Sequence, residues 1–237
     1  PVVAPSKLNN SRRFSKDCKS KYIAQNFKYF MKEILKDIEN IIFDLGEVIV
    51  DLDISATERA FAKLLTNSKE SIYNYKDQTK IFDQLEVGQI SPQEFRAEIN
   101  KRTHTTSSDE QIDKAWNAML LKIPSQKIQL VQNLRLNYQT FVLSNTNKIH
   151  IDFLEQSLLP QHHLKTLDEV FDFVYYSHEI GERKPAAAAY QFILDRHELI
   201  PAKTLFIDDK EENILAAQVL GIKTWHLTNR EDLYELA

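Results

Sequence analysis

Glycine is scarce in this chain, with Gly46, Gly88, Gly181 and Gly221 the only four in 237 residues. Glycines so dispersed cannot build a phosphate-cradling loop, and both the P-loop pattern and the dinucleotide fingerprint are missing. The usual sequence grounds for a nucleotide-dependent kinase or a dehydrogenase are therefore absent. Cysteine is scarcer still: Cys18 alone allows no internal disulfide and no thiolate metal site, which suits a reducing cytoplasm. No apolar run approaches the roughly 18 residues of a membrane-spanning helix, and Pro1 to Asp17 lack the apolar segment of a secretory signal. Surplus positive charge is also lacking. The formal net charge is −4 although residues 1–30 hold seven Lys or Arg and one Asp, so the remainder is distinctly acidic. Binding to a nucleic-acid backbone needs surplus cations, and the expected partners include neither nucleic acid nor membrane.

What is present is globular: 43% hydrophobic and 27% charged residues suit a buried core. The length fits one α/β domain with an insertion, or two modest domains. Residues 1–30 admit two readings. Either they are a flexible or vector-derived extension, with Met31 the native start, or residues 22–31 form a helix whose aromatics cover the domain edge.

The organising stretch is residues 40–53. Ile41, Ile42 and Phe43 read as a buried parallel strand, and Asp44 places a carboxylate at its C-terminal edge, where open α/β sheets hold ligands. Gly46 lets the following chain turn sharply. Thr204 to Asp209 repeat the shape, with Asp208 and Asp209 at the end of an apolar run. Strands about 5 Å apart can bring both acidic ends to one cation; the alternative is that these Asp residues serve as turn or capping groups.

Residues 54–122 show helical periodicity and almost no β pattern, with Ala56, Ala60, Phe61, Leu64 and Leu65 on one face. Phe82 and Leu85 suit a helix that ends near Gly88. Ser91 with Glu94, and Ser107 with Glu110, are capping-box spacings, the second preceding Ile112, Ala115, Trp116 and Met119. A helical block inserted after the first strand is expected to rise over the strand ends as a cap, with Tyr73, Tyr75, Phe82 and Trp116 available to its core or its substrate face. Beyond it, Ser125 is expected to cap a helix. Strands follow at 139–143, 170–176, 204–207 and 222–225, separated by helices at 149–158, after Pro185, and at 213–220 before Gly221. This alternation predicts a Rossmann-like, mostly parallel α/β sheet with helices on both faces. Its core is assigned to 31–53 and 123–237, and the helical cap to 54–122.

Four strand ends thus offer polar groups to one edge: Asp44; Ser144 with Asn145; Arg183 with Lys184; and Asp208 with Asp209. The motifs Asp44-Leu-Gly-Glu-Val48, Leu143-Ser-Asn-Thr146, Arg183-Lys184-Pro185 and Ile207-Asp-Asp-Lys-Glu-Glu-Asn213 occur in that order. Together they resemble the haloacid-dehalogenase-like (HAD) hydrolase superfamily over roughly residues 40–228. Within it, Phe-Asp-Leu-Gly-x-Val-Ile-Val-Asp with Leu-Ser-Asn-Thr-Asn is similar to the branch containing bacterial glucose-1-phosphate phosphatases. The resemblance implies hydrolysis of a small phosphorylated metabolite, such as a sugar phosphate, with Mg²⁺ as cofactor. Asp44 would be the nucleophile, and Asp44, the Gly46 carbonyl, Asp208 and Asp209 the metal set. Ser144, Asn145 and Lys184 would hold phosphate, with Arg183 either a second phosphate contact or a salt-bridge partner; Lys184 would also moderate repulsion between Asp44 and the phosphate, and Asn213 would orient the acidic loop.

Gly46 is a departure, because many phosphatases of the superfamily carry there a second Asp as general acid and base. Loss of such a proton-transfer step typically costs about 10²–10⁴-fold. The resembled branch also has Gly, and Glu47 is a neighbouring carboxylate that is either a substitute acid or a solvent-facing side chain. The departure leaves two rivals: a noncatalytic phosphate-sensing or partner-binding protein, and a dehalogenase or other transferase. The acidic pair favours phosphoryl transfer, since displacement at carbon gains little from Mg²⁺ ligands. His150 either reaches the site as a supporting residue or lies on a helix surface. His178 and Glu179 belong to the loop before Lys184, and His162 and His163 match no metal spacing.

Overall fold

The computed structural model describes residues 32–64 and 80–236. The extension at 1–30, Met31, Cys18, Leu65, Tyr73 and Tyr75 lie outside the described residues. Five parallel strands form the main sheet: β1 (Asn40–Phe43), β4 (Gln139–Ser144), β5 (Phe173–Tyr176), β6 (Thr204–Asp208) and β7 (Lys223–His226), in the order β5-β4-β1-β6-β7. Phe43 registers against Val142 on one side and Ile207 on the other. The strand that carries Asp44 is therefore central, and its two neighbours carry Ser144 and Asp208.

The sheet is apolar on both faces because each is covered by helices, which is why its strands read as continuous apolar runs. Ile41, Phe43, Val142, Leu205 and Ile207 point to one side. There they meet α5 (Ser125–Leu134) and the helix that starts as α6 (Lys148–Phe153) and continues as a π turn, Leu154–Leu158. Ile42, Phe141, Leu143 and Phe206 point to the other, against α8 (Ala187–Arg196) and α9 (Glu211–Val219). A short α7 (Ser177–Ile180) follows β5.

The insertion is helical, as its periodicity requires: α1 (Ile54–Leu64), α2 (Lys80–Glu86), α3 (Pro92–Thr103) and α4 (Asp109–Trp116). It has its own apolar cluster around Phe61, Phe82, Phe95, Ile112 and Trp116, to which Ile149 of α6 also contributes. Its stem is a ribbon, β2 (Asp51–Leu52) antiparallel to β3 (Leu120–Lys122), which the sequence reading did not anticipate. Among the described residues no helix is long and apolar enough to cross a membrane.

Several boundaries differ from expectation for identifiable reasons. The Ser91–Glu94 box forms as read, but the second box is Ser108 with Gln111. Ser107 is instead held by Asn100, whose Oδ1 accepts its N–H at 2.9 Å. Pro124, in extended conformation, is the residue before α5, so Ser125 is its first helical residue rather than its cap. The β5 strand is shorter than 170–176, because Val170 and Phe171 bury their side chains from the turn after a 3₁₀ segment at Leu167–Glu169. Pro185 does not open α8, which starts at Ala187. Asn145 holds Lys184 at both backbone groups, with Lys184 N–H donating to its Oδ1 and its Nδ2 donating to the Lys184 carbonyl.

Candidate active site

Each candidate carboxylate leaves the sheet where its strand ends. Asp44 continues the β1 ladder by donating its N–H to the Ile207 carbonyl at 2.9 Å, which fixes it beside Asp208 on β6. One oxygen each of Asp44, Asp208 and Asp209 lie within 4.8 Å of one another. Lys184 Nζ donates to Asp44 Oδ1 at 2.7 Å and to Asp208 Oδ2 at 2.8 Å, with its side chain almost completely buried. Asn213, from the first turn of α9, donates Nδ2 to both Asp208 oxygens at 3.0 Å, and Lys210 N–H donates to Asp208 Oδ1. Asp208 is thereby fully engaged, while Asp44 and Asp209 line an open cavity of about 130 Å³.

Three carboxylates converge near one ammonium that bonds two of them, and the electrostatics record the imbalance. The Asp44 carboxyl is raised to about 7, chiefly by burial, with Lys184 opposing and Asp208 and Asp209 adding to the rise. Asp209 is raised mainly by burial and then by Asp208. Burial acts to lower Lys184, but Asp208 and Asp44 outweigh it and the ammonium is raised. Buried charge in excess of its partners is resolved by coordinating a cation, and hard carboxylate oxygens at this separation suit Mg²⁺. The residues present therefore fit a Mg²⁺ site.

The remaining candidates fall into two groups. Ser144 and Asn145 line the same cavity from the end of β4, and Gly46, Glu47 and His150 line it too. Glu47 Oε1 accepts the Leu52 N–H at 3.2 Å and its Oε2 lies 3.4 Å from Arg230, so both oxygens are engaged by the loop and the C-terminal segment. Arg183 also borders the cavity, with its guanidinium forked between Asp83 and Glu86 of cap helix α2, the latter at 2.9 Å. His150 is buried; its Nδ1 lies 2.8 Å from Asn117 Oδ1 and its ring stacks on Trp116. His162 and His163 join no cluster of metal-ligating side chains among the described residues.

Sequence reasoning missed Asn117, Glu86 and Met119, which connect or line the cavity from the cap. It also missed Ser177, whose Oγ accepts the Thr146 N–H and donates to the Thr146 carbonyl, bracing the turn after Ser144. No local pattern marks these residues, because each partner lies more than 30 positions away.

A parallel sheet with acid-tipped central strands, a buried lysine between them and a Mg²⁺-binding carboxylate set defines a hydrolase of the phosphoryl-transfer type. The family model described as haloacid dehalogenase-like hydrolase matches residues 38–221, and the chain belongs to that family. Among curated proteins it is 32% identical over 195 residues to a D-ribitol-5-phosphate phosphatase of Bacteroides thetaiotaomicron, covering 82% of this chain and 94% of that protein. Among solved structures it resembles a HAD-family enzyme of the same organism in complex with magnesium and inorganic phosphate. That likeness has a TM-score of 0.73 and 36% identity and covers 79% of this chain and 93% of the other. A HAD-like hydrolase of Porphyromonas gingivalis gives a TM-score of 0.71 at 32% identity, over 79% of this chain and 90% of that one.

Proposed function

We propose that the protein hydrolyses phosphomonoesters of small hydroxylated alcohols, sugar or polyol phosphates, by way of a phosphoryl group carried on Asp44. The observation that carries this reading is the meeting of Asp44, Asp208 and Asp209 around one buried lysine. One Asp44 oxygen forms the new bond to phosphorus as the bond to the ester oxygen breaks, and the leaving oxygen takes a proton from water to depart as the alcohol. Water then cleaves the acyl-phosphate and releases phosphate. Lys184 orients Asp44 and offsets its charge against the incoming phosphate. Ser144 Oγ and the Asn145 N–H are assigned to the nonbridging oxygens, and Asn213 keeps Asp208 in place. Asp44, the Gly46 carbonyl and Asp209 would hold Mg²⁺, with Asp208 in support; when bound, the ion supplies Lewis-acid polarisation of the phosphoryl oxygens. Residues 54–122 are assigned as the cap that screens this chemistry from water.

Arg183 belongs in this scheme to docking the cap, since its fork is occupied by Asp83 and Glu86. Glu47 is assigned to holding the loop between Asp44 and β2. For the substrate, the Bacteroides relative is a phosphatase of D-ribitol 5-phosphate, a polyol phosphate, and the first two motifs resemble the glucose-1-phosphate phosphatase branch. Both support a small, hydroxyl-rich leaving group, and the single cysteine supports a cytoplasmic setting. The test is phosphate release with Mg²⁺ from polyol, sugar and aryl phosphates, by the protein and by Asp44→Asn. Turnover lost in the variant is expected; turnover retained there would remove Asp44 as nucleophile. Phosphate binding without turnover in the parent protein would establish the noncatalytic alternative instead.

A further inference from the structure

The side of the cavity away from the carboxylates is built from the junction of cap and core, and its chemistry is one-sided. The whole cavity, carboxylate end included, has a volume of about 130 Å³, well below the roughly 300–1,000 Å³ of pockets that enclose larger ligands, so only a small leaving group fits. Trp116 offers an indole and Met119 a flexible apolar chain. The polar groups there are His150, Glu86 and Arg183.

His150 is held on three sides. Asn147 Oδ1 accepts its backbone N–H at 3.2 Å, its ring lies 4.5 Å from that of Trp116 at 26°, and Nδ1 meets Asn117 Oδ1 at 2.8 Å. An amide oxygen facing Nδ1 places the proton there, so Nε2 is the lone-pair nitrogen. His150 lines the cavity, and its Nε2 has no hydrogen-bond partner among the described residues yet is not one of the fully buried polar atoms, so it is open to that cavity. Burial pulls the imidazole down to about 3, which keeps it a neutral acceptor at neutral pH. Arg183, a cation on this side, is already forked between Asp83 and Glu86. The junction thus presents one open acceptor, the imidazole Nε2, beside a Glu86 carboxylate already engaged by Arg183.

We propose that His150 is a specificity-determining residue which selects esters of uncharged, hydroxylated alcohols by accepting a hydrogen bond from a hydroxyl group of the leaving group. This rests on the phosphatase reading above and adds to it which residues recognise the alcohol. A hydroxyl is a donor and satisfies Nε2. An alkyl chain leaves that nitrogen without a partner, and a carboxylate sets acceptor against acceptor, so sites of this kind discriminate strongly against analogues that lack the matching group.

The test measures kcat/KM with Mg²⁺ for ribitol 5-phosphate, n-pentyl phosphate, phosphoglycolate and p-nitrophenyl phosphate. The parent protein is expected to prefer ribitol 5-phosphate to n-pentyl phosphate and to phosphoglycolate by about tenfold or more. His150→Asn keeps a donor for Asn117 but removes the Nε2 position, and the preference over n-pentyl phosphate should shrink about tenfold, chiefly through KM. His150→Gln places an amide end near the Nε2 position and should recover part of that preference. Equal losses on ribitol 5-phosphate and p-nitrophenyl phosphate in His150→Asn would mark a merely structural residue and overturn the proposal. The parent protein gives an independent result that needs no variant, since equal rates on ribitol 5-phosphate and n-pentyl phosphate would overturn it too. Hydrolysis of p-nitrophenyl phosphate without any hydroxyl preference would sink this proposal alone, whereas no hydrolysis of any ester would remove the phosphatase reading with it.

Discussion

His150 makes the fold acid-sensitive in a way that can be calculated. In the folded protein its pKa is lowered to about 3 by burial, from an ordinary value of 6.5. Between those limits the unfolded chain binds a proton that the folded chain does not. Stability therefore falls as the pH drops through this window and is fully recovered above 6.5. With the residue only 7% exposed, little solvent screening softens the effect. Taking the unfolded imidazole at its ordinary value, its protonation should cost about 2 kcal/mol of stability at pH 5 and about 3 kcal/mol at pH 4, relative to pH 8. Urea titrations at pH 8, 6, 5 and 4 in EDTA measure this directly, with His150→Asn as the reference because it loses the titrating ring and keeps a donor for Asn117. Carboxylates elsewhere contribute to both proteins, so the quantity of interest is the difference between the two pH profiles. The parent should lose about 2 kcal/mol more than His150→Asn between pH 8 and 5. Parallel profiles would refute the reasoning, since they would mean that the imidazole accepts its proton without leaving its site.

Lys184→Met leaves buried Asp44 and Asp208 without the ammonium that bonds both. It should abolish turnover and cost about 3–5 kcal/mol in metal-free thermal melts, with Mg²⁺ raising the midpoint more in the variant than in the parent; an equal rise would count against the charge balance described. Arg183→Lys keeps the charge but loses the fork on Asp83 and Glu86, and KM is expected to rise severalfold and become more sensitive to salt. Unchanged KM across ionic strength would separate Arg183 from cap docking. Gly88 has φ +68°, and a Cβ there would meet the His178 carbonyl oxygen at 2.3 Å. Gly88→Ala should therefore destabilise the protein by about 1–3 kcal/mol on denaturation, and a neutral result would show that the cap shifts off this contact freely. Glu47→Gln retains an acceptor for the Leu52 N–H, so kcat should fall less than about tenfold; a loss of about 10²–10⁴ in rate would instead identify Glu47 as the proton-transfer group.

The parts of this molecule that were legible in the sequence are those where one local pattern has one structural meaning. Strands β1, β4 and β6 are buried on both faces, so their apolar runs have no competing explanation, and each ends at the polar residue that forms the site. Val170 and Phe171 show where this logic fails: they are as buried as strand residues but sit in a turn, because an apolar run reports burial and not backbone geometry. The β2–β3 ribbon escaped for the opposite reason. Strands of two and three residues have no room for a period. Long-range pairs were illegible altogether: His150 meets Asn117 across 33 residues and Arg183 meets Asp83 across 100. For Arg183 the sequence left phosphate contact and ion pairing open, and the structure shows ion pairs with Asp83 and Glu86 of α2.

The glycine at position 46 follows from the same long-range packing. The chain turns tightly after Asp44, with the Ile49 and Val50 N–H groups both donating to the Leu45 carbonyl and the Glu47 N–H donating to Val50. That turn returns the chain to β2, where Leu52 pairs with Leu120 at the base of the cap. A Cβ on residue 46 would lie 2.9 Å from Leu52 Cδ1, closer than nonbonded carbons approach. A side chain at 46 would therefore require the Leu52 side chain, which packs against the main core, to turn aside. In the proposed reaction, proton transfer to the leaving alcohol then falls to water or to another group bordering the cavity, and the cost falls on the chemical step rather than on Mg²⁺ binding by Asp44, Asp208 and Asp209.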